Sequence, residues 1–338
     1  MDVDAIRQLQ PELAQFLQRF AHCLSGGEFA HLTTYVEGQL SELERKNVER
    51  IALNAGVTPR TLQEFLANYD WDHEAMRNEL QRIVATEHAV RHTVGIIDET
   101  SFVKKGDKTP GVQRQHCGAV GKQENCIVTV HLSFACEDFH CLLDEELYLP
   151  ESWSNDRARC REARIPDDMV YRPKSEIALE QYDRAVRNGL SFDWLTFDEW
   201  YGAKPAFLRA LNKRNQKFVA EIHKGHMVWM QKPRVTNRSY RKNRRGISRK
   251  TPRLVSGSPK AKAVGELFEN SPKFIKQRWK KWYVKDTQKG PKIIEVKHAI
   301  VYPKNDEGLP AQAHHLLVTR DVQAPKDVKF FLCNAPQN

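Results

Sequence analysis

The sequence predicts a mixed α and β fold in which helices come first, a strand-rich core follows, and a basic segment with further strands comes last. At 338 residues the chain exceeds one typical domain, so more than one structural unit is expected. Apolar residues recur at helical spacing up to about residue 88, and short apolar runs and alternating patterns replace them from residue 93. The predicted domains are 1–90 (helical), 91–223 (core) and 224–338 (basic insertion with strands).

The N-terminal domain is predicted to be helical throughout. Apolar side chains between Leu9 and Leu24 follow three-to-four spacing, and Gly26-Gly27 is predicted to end this first helix. Ser41 and Glu44 have the spacing of a capping box, which predicts that a second helix begins there and ends near Gly56.

The segment IALNAGVTPRTLQEFL, within residues 45–67, resembles the turn of a helix-turn-helix motif. It predicts a helix, an Ala-Gly turn and a second helix that opens on Thr58-Pro59. Such a motif lays its second helix in the major groove. In that position the side chains of Arg60, Thr61 and Gln63 would face the DNA bases. An ordinary helical hairpin is the alternative.

From residue 93 the pattern is that of strands joined by helices. TVGIID is a short apolar run closed by Asp98, and FDWLTFD closes in the same way on Asp198. One predicted strand ends at Asp98, and the others cover 126–136, 140–150, 192–198 and 217–222. The predicted helices cover 175–188 and 204–215. Three antiparallel strands followed by alternating helix and strand is the RNase H-like order, one option among several α+β folds on pattern alone.

The positive charge of the chain is concentrated in one window. The net charge is +10, and the window from Ile222 to Gly265 holds 13 lysines and arginines and no acid. Since this window carries +13 and the whole chain +10, the remaining residues sum to −3. A basic patch on a nearly neutral protein indicates a polyanionic partner, of which nucleic acid is the best candidate.

Arginine dominates this window and suits bidentate contacts with phosphate, whereas a solvated linker is the alternative. The predicted phosphate contacts are Arg234, Arg238, Arg241, Lys242, Arg244, Arg245, Arg249, Lys250 and Arg253. Further along, Lys280 and Lys281 are two more predicted DNA contacts, and Trp279, Trp282 and Tyr283 are interleaved with them. These aromatic rings either stack on exposed bases or pack within the insertion.

Other classes of protein are not favoured by the composition. No apolar run approaches 18 residues, and the N-terminus lacks the cationic start and apolar block of a signal peptide, so a cytoplasmic protein is expected. The seven cysteines are scattered without a CxxC pair, which favours reduced, mostly buried thiols over a zinc site near Cys136 and Cys141.

Asp98 and Asp198 can converge if their strands are neighbours. Carboxylate oxygens suit Mg²⁺ or Mn²⁺, and a pair of such ions supports phosphodiester chemistry. A third carboxylate is normally needed to hold both ions. Pattern alone, however, favours loop or capping acids, because aspartate at a strand end is common.

Four blocks, in order and at the expected separations, change this interpretation: GIIDETSFVKKG, GVQRQHCGAVGKQENCIVTVHL, LDEELYLPESWSNDRARCREARIP and LTFDEWYG. Together they resemble the catalytic core of DDE-superfamily transposases, in the insertion-sequence family numbered seven hundred and one, which is related to the family numbered four. The similarity runs from about residue 10 to the C-terminus and is strongest over 94–202. It implies an RNase H-like core and cut-and-paste DNA transposition.

Residue by residue, the resemblance implies that Asp98 and Asp198 are the first two catalytic, metal-binding aspartates. Glu99 is then a neighbour of the metal ions without being a firm ligand, and Lys104 and Lys105 contact backbone phosphate or belong to a solvated loop. The block after the second aspartate is matched by Glu199, Tyr201 and Gly202, of which the tyrosine is expected to pack and the glycine to permit a tight exit from the strand. The implied cofactors are two Mg²⁺ (or Mn²⁺) ions, and the implied partners are double-stranded DNA, at the element's terminal repeats and at the target, and a second copy of the chain when active.

The third carboxylate is not assigned. In relatives, LCNAP is followed by a helix that bears the catalytic glutamate, whereas here only Gln337 and Asn338 follow that segment. Glu266, Glu269 and Glu295 all precede it. We therefore expect a C-terminally truncated member of this family, located with the bacterial nucleoid, whose family function is DNA transposition. The main alternative is a catalytically inactive DNA-binding relic or competitor of intact transposase, and we expect the chain as given to bind duplex DNA without cleaving it. A host nuclease of the same fold is a weaker alternative.

Overall fold

The computed structural model covers the chain with short gaps, and the residues that it describes are 3–89, 91–237, 251–288 and 290–336. The chain separates into two compact units, of which the first is Met1–His88 with Ala185–Leu190 and the second is Ala89–Arg184 with Ser191–Asn338. Within the described ranges, no helix is both long enough and apolar enough to cross a membrane.

The first unit is helical. Its helices are α1 (Val3–Gln18), α2 (Gly26–Leu40), α3 (Val48–Asn54), α4 (Pro59–Ala67) and α5 (His73–Glu87), with a 3₁₀ turn at Ala21–Cys23. Ile51 and Ala52 of α3 and Leu62 and Phe65 of α4 are buried together, at 1% exposure or less. This apolar stripe at helical spacing gives the unit a core of its own.

One helix of this unit was not predicted, and the predicted capping box was wrong. Ser25 caps α2 and forms a capping box with Glu28, so the two glycines begin a helix where an end was expected. Ser41 lies at the C-terminal end of α2, and α3 is capped by Asn47. A good cap satisfies the free N–H groups of the first turn, and this outweighs the low helix propensity of glycine there.

The second unit combines a large sheet with short helices. Its strands are β1 (Val94–Val103), β2 (Gln113–Cys117), β3 (Lys122–Cys136), β4 (Phe139–Leu147), β5 (Trp194–Phe197), β6 (Phe218–Ile222), β7 (Met227–Trp229), β8 (Val235–Thr236), β9 (Arg253–Leu254), β10 (Lys262–Ala263), β11 (Lys280–Thr287), β12 (Gly290–Pro303), β13 (His314–Asp321) and β14 (Val328–Cys333). The helices are α6 (Glu151–Ser154), α7 (Arg157–Glu162), α8 (Lys174–Arg187, whose last residues belong to the first unit), α9 (Glu199–Gly202), α10 (Pro205–Lys213), α11 (Val264–Asn270) and α12 (Pro272–Ile275).

Twelve of the described strands form one mixed sheet. Its order is β10-β7-β12-β13-β14-β6-β5-β1-β3-β2, with β4 paired to β3 and β11 paired to β12. The β1–β3 and β3–β4 pairs are antiparallel, and the β1–β5 and β5–β6 pairs are parallel. The predicted β3–β4 hairpin and the predicted antiparallel pairing of the first core strands are therefore confirmed, and β2 is an additional short strand.

The core of this unit lies on one face of the sheet. Along β3, every second side chain is buried, and Val128, Val130, Leu132 and Phe134 have no exposed surface. Helix α8 covers this face, where the buried Gln181 donates to the Val130 carbonyl oxygen at 2.9 Å. The alternate residues of the same strands are half-exposed, as expected for period-two side-chain alternation.

Strands were predicted within residues 224–338, and two of those present are β12 and β13, which pair antiparallel. They continue the sheet, because β13 pairs with β14 and β14 pairs with β6. The segment after residue 224 therefore contributes strands to the same sheet as the core.

Candidate active site

Asp98 lies in the middle of the ten-residue pairing between β1 and β3. It belongs to β1 and lies opposite His131 of β3. The prediction that Asp98 ends its strand was wrong, because β1 continues for five residues to Val103. The next three residues, Glu99, Thr100 and Ser101, are polar, and the last two, Phe102 and Val103, are exposed, so this half of β1 lacks the apolar alternation that usually indicates a strand.

Asp198 follows β5 directly and caps the short helix α9. Its Oδ1 accepts hydrogen bonds from the backbone N–H groups of Trp200 (3.0 Å) and Tyr201 (3.3 Å). Burial raises the pKa of the Asp198 carboxyl group, and these backbone bonds partly offset the effect. The neighbouring charge of Asp98 raises this pKa further, which indicates that the two carboxylates are close.

The strand register brings the two aspartates together. In the parallel β1–β5 pair, Ile97 is the partner of Phe197, so the next residue of each chain segment is an aspartate. Adjacent strands lie about 4.8 Å apart. The predicted convergence of Asp98 and Asp198, 100 positions apart in sequence, is therefore present in the structure.

Both carboxylates open into one cleft of about 480 Å³. The residues that line it are Asp98, Glu99, Ser101, His116, Gly118, Lys174, Asp198, Glu199, Trp200, Ala203 and His223. They come from β1, β2, the start of α8, the β5–α9 junction and the loop after β6. The cleft thus gathers side chains that are far apart in sequence around the two aspartates.

Glu99 faces the cleft from the opposite side of β1 and forms an ion pair with Lys174. Burial raises the pKa of the Glu99 carboxyl group, and Lys174 acts in the opposite direction. The charges of Asp198 and Asp98 add to the increase. Glu99 therefore lies in the same cleft as the two aspartates, with its charge balanced by a lysine. Its predicted place beside the metal ions stays a prediction.

Lys174 and its surroundings were not predicted from the sequence. Its ammonium group lies over the rings of Trp200 (5.1 Å to the centroid) and Tyr148 (5.3 Å). The ion pair joins residues 75 positions apart, and no local pattern indicates such a contact. A lysine as the first residue of a helix is the one signal in the sequence, because the helix dipole disfavours a cation there.

Tyr201 and Gly202 pack behind the cleft. Tyr201 is fully buried, and burial, followed by the charge of Glu99, raises the pKa of its hydroxyl group, so the predicted packing role is confirmed. A Cβ atom at Gly202 would lie 2.0 Å from the Glu221 carbonyl oxygen. The glycine permits close contact of α9 with β6, and this contact, more than the exit from β5, explains why a side chain is excluded.

The two aspartates fit a hard divalent cation. Both supply oxygen ligands, and the bonds that cap α9 end on one oxygen of Asp198. Magnesium in proteins is often held by one or two carboxylates together with water and substrate phosphate. Within the described ranges, however, no group of three or more His, Cys, Asp or Glu side chains is placed to hold a metal ion.

The predicted DNA contacts are only partly within the described residues. Lys104 is half-exposed and Lys105 exposed at the end of β1, while Arg234 and Arg253 lie in or beside the β8–β9 pair. Outside the described residues lie Arg238, Arg241, Lys242, Arg244, Arg245, Arg249 and Lys250.

Lys280 and Lys281 lie on β11, where all eight residues are exposed. Trp282 and Tyr283 are about 60% exposed, so packing within the fold does not explain them. Trp279 is different, because its ring contacts the Arg320 guanidinium group at 4.2 Å and the Lys297 ammonium group at 5.0 Å.

The helical hairpin predicted near residues 45–67 is present as α3 and α4. Gly56 has a positive φ of 70° at the turn between them. Arg60 and Gln63 are exposed on α4, and Thr61 is half-exposed. Arg60 forms an ion pair with Glu64 on the same helix. DNA contact by these three residues stays a prediction.

A family model described as DDE superfamily endonuclease matches residues 19–291. Since this is most of the chain, the protein belongs to that family. The chain is also similar to a probable transposase for insertion sequence element IS701 from Microchaete diplosiphon, with 31% identity over 195 residues. That match covers 56% of this chain and 48% of the relative, so the chain spans about half the length of the curated relative it matches. The resemblance carried by the four sequence blocks is confirmed by these similarities.

Among solved structures, the chain is similar to the NurA nuclease from Sulfolobus solfataricus. The TM-score is 0.30 with 11% sequence identity, over 78% of this chain and 77% of the other. This likeness is too weak to establish a shared fold.

Proposed function

We propose that this chain supplies the DNA-cleaving and strand-transfer core of an insertion-sequence transposase, with an RNase H-like arrangement of β1, β3, β4, β5 and β6. The observation that carries the proposal is the strand register that aligns Asp98 with Asp198 in a member of the DDE superfamily endonucleases. The change from antiparallel to parallel pairing at β1 supports the RNase H-like assignment.

Asp98 and Asp198 would hold two Mg²⁺ or Mn²⁺ ions in the cleft. Such a pair of ions activates the attacking oxygen and stabilises the leaving oxygen of a phosphodiester. The contribution of the chain is to hold both carboxylates at a fixed separation on neighbouring strands. The cap bonds to Trp200 and Tyr201 also fix the orientation of Asp198, so its carboxylate needs little rearrangement before binding.

The reaction we propose has two steps. A phosphodiester at the end of the element is hydrolysed, and the freed 3′ hydroxyl group then attacks a phosphodiester of the target DNA. Asp98 and Asp198 serve both steps, because each step displaces an oxygen at phosphorus.

The proposed partners are double-stranded DNA, at the terminal repeats and at the target, and a second copy of this chain. The DNA surface would comprise the cleft, the exposed lysines of β11 and the basic window. The helical hairpin α3–α4 is the proposed sequence-reading element. The proposal places the chain in the bacterial cytoplasm with the nucleoid.

A second candidate function is DNA binding without cleavage, as a relic or competitor of intact transposase. One observation favours it: among the described residues, no third His, Cys, Asp or Glu joins Asp98 and Asp198 in a metal-binding group. Glu99, the nearest acid on β1, is paired with Lys174.

Nicking of supercoiled plasmid by the purified chain, with MgCl₂ or MnCl₂ and with EDTA, separates the two functions. Metal-dependent nicking that Asp98→Asn and Asp198→Asn both abolish, by roughly a hundredfold or more, supports the transposase proposal. These substitutions preserve size, and asparagine also preserves the cap of α9. Tight binding of duplex DNA without nicking would favour the second candidate, and failure to bind or nick DNA would contradict both.

A further inference from the structure

The cleft is lined by more acidic than basic side chains, although the proposed ligand, DNA, is itself negatively charged. Four acids line it, namely Asp98, Glu99, Asp198 and Glu199. Among the described residues that line the cleft, Lys174 is the one lysine or arginine. Without a counter-charge, the acids would repel a phosphate group. Lys174 is the side chain of this lining that supplies a fixed positive charge, in addition to any divalent ion that the aspartates would hold.

Lys174 is held in place by three neighbours. Its ammonium group forms an ion pair with Glu99 and lies over the rings of Tyr148 and Trp200. The side chain is 18% exposed, compared with 21% for Glu99. The lysine therefore has lost most of the rotational freedom of an exposed lysine while still reaching the cleft surface.

Helix stability does not explain a lysine at this position. Lys174 is the first residue of α8, a helix of 14 residues. A cation at a helix N-terminus is disfavoured by the helix dipole, typically by about 0.3–1 kcal/mol, and an acid would be favoured. The ion pair with Glu99 offsets this cost. Forming the pair, however, places two charged groups, the Lys174 ammonium and the Glu99 carboxylate, in largely buried surroundings, which itself costs desolvation energy.

The ammonium group has hydrogen-bonding capacity beyond Glu99. It carries three N–H donors, and the carboxylate oxygen of Glu99 takes one of them. A phosphate oxygen that enters the cleft supplies an acceptor for another. Lysine contacts phosphate well as a point charge, and one that is already held in position loses less entropy on binding.

We propose that Lys174 contacts a backbone phosphate of the DNA strand that enters the cleft, and that Glu99 is a positioning residue that holds the lysine there. This inference rests on the proposed function, because it takes DNA as the ligand of the cleft. It assigns Glu99 a role in orienting a cation instead of a place among the metal ligands.

The test compares Lys174→Met with Glu99→Gln. Both variants break the same ion pair, so a purely structural role predicts that both weaken DNA binding alike. The proposal predicts different results, because only the first variant removes the phosphate contact, whereas glutamine at position 99 keeps an oxygen that holds Lys174. Affinity for a duplex oligonucleotide would be measured by fluorescence anisotropy over a range of KCl concentrations, in EDTA and again with CaCl₂.

For Lys174→Met we expect binding weaker by roughly tenfold and a plot of log affinity against log salt that is shallower by about 0.9. For Glu99→Gln we expect an unchanged slope and equal or tighter binding, since the glutamine carbonyl oxygen still accepts a hydrogen bond from Lys174 and the cleft loses a negative charge. For Glu99→Ala, which leaves the lysine without this acceptor, we expect weaker binding than for Glu99→Gln, because the lysine must then be ordered on binding. Lys329→Met is the matched control, because Lys329 also pairs with a glutamate, Glu221, on a neighbouring strand outside the cleft.

Equal losses in Lys174→Met and Glu99→Gln, a slope unchanged in both buffers for Lys174→Met, or an equal change in Lys329→Met would overturn the phosphate contact. Equal binding by Glu99→Ala and Glu99→Gln would overturn the positioning role of Glu99. Each of these results requires that the unmodified chain binds the duplex. If the unmodified chain does not bind duplex DNA at all, the proposed function itself fails.

Discussion

Two imidazole rings, those of His226 and His314, are held in surroundings that disfavour their charged forms. Burial, followed by the neighbouring His314, lowers the pKa of His226 to about 4. Burial also lowers the pKa of His314, which is 2% exposed. In the unfolded chain both rings take up a proton near pH 6.5, so the unfolded state binds more protons below that pH.

Stability should therefore be complete above about pH 6.5 and should decrease as the pH falls toward 4. The contribution of His226 between about pH 7 and pH 4.5 is roughly 2–3 kcal/mol. We expect His226→Gln to lose less stability than the wild type over this range, measured by urea unfolding at each pH. The exposed His140→Gln should follow the wild type. Equal pH dependence in all three proteins would contradict the assignment.

Among the residues of the cleft, those that belong to a recognisable sequence motif could be predicted, and those that meet only in the folded chain could not. Asp98 and Asp198 were predicted, because each lies in a block with a recognisable order of residues. Lys174 was not, because its three contacts come from β1, the segment after β4, and α9. Long-range ion pairs leave no periodic signal in a single sequence.

Among the elements, the β11–β12 hairpin combines exposure with positive charge. β13 pairs with β12 from Ile294 onward, so the tip of the hairpin extends beyond β13. A register shift between Tyr283 and Lys285 marks a bulge in β11. An exposed edge strand with apolar side chains is normally avoided, since it promotes aggregation. Lysines beside Trp282 and Tyr283 fit a surface that DNA covers.

We expect the double variant Lys280→Gln, Lys281→Gln to weaken duplex binding and to reduce the salt slope by about 1.8, if each lysine contacts one phosphate. The measurement is anisotropy over a range of KCl concentrations. Lys326→Gln is a suitable control, because Lys326 is exposed and follows β13, outside the hairpin. A double variant with the slope of the wild type would remove β11 from the DNA surface.

Element boundaries were predictable where burial alternates and unpredictable where it does not. β3 was predicted because its buried side chains recur at every second position. β2, with the sequence QRQHC, and the second half of β1 are mostly polar, and hydrogen bonds to β3 define them. Helix α2 was missed because its N-cap, Ser25, precedes two glycines that usually indicate a helix end.

At the scale of the whole molecule, binding of a divalent ion should stabilise the fold. An ion that binds only the folded state adds about 2.7 kcal/mol at a concentration a hundredfold above its dissociation constant. We expect MnCl₂ to raise the Tm of the wild type by several degrees in scanning calorimetry. Asp98→Asn and Asp198→Asn should show little or no increase.

The same two variants should unfold at an equal or higher temperature than the wild type in EDTA. Each removes one of two like charges that are close together, which relieves repulsion in the folded state. Glu145→Gln, at an exposed position on β4, is the control that should keep the full response to MnCl₂. An increase of equal size in all four proteins would place the ion elsewhere.

The pairing of Ile97 with Phe197 has a consequence for how this site tolerates change. Successive residues of a strand face opposite sides of the sheet, so a slip of one residue exchanges the sides of Asp98 and Glu99. A single deletion upstream in β1 would then present the longer carboxylate of Glu99 beside Asp198. It would also move Asp98 into the buried position of Ile97 and place Thr100 opposite Lys174. Loops around the cleft can change in length without moving the aspartates, whereas a change of one position in β1 would replace both acids of that strand at once.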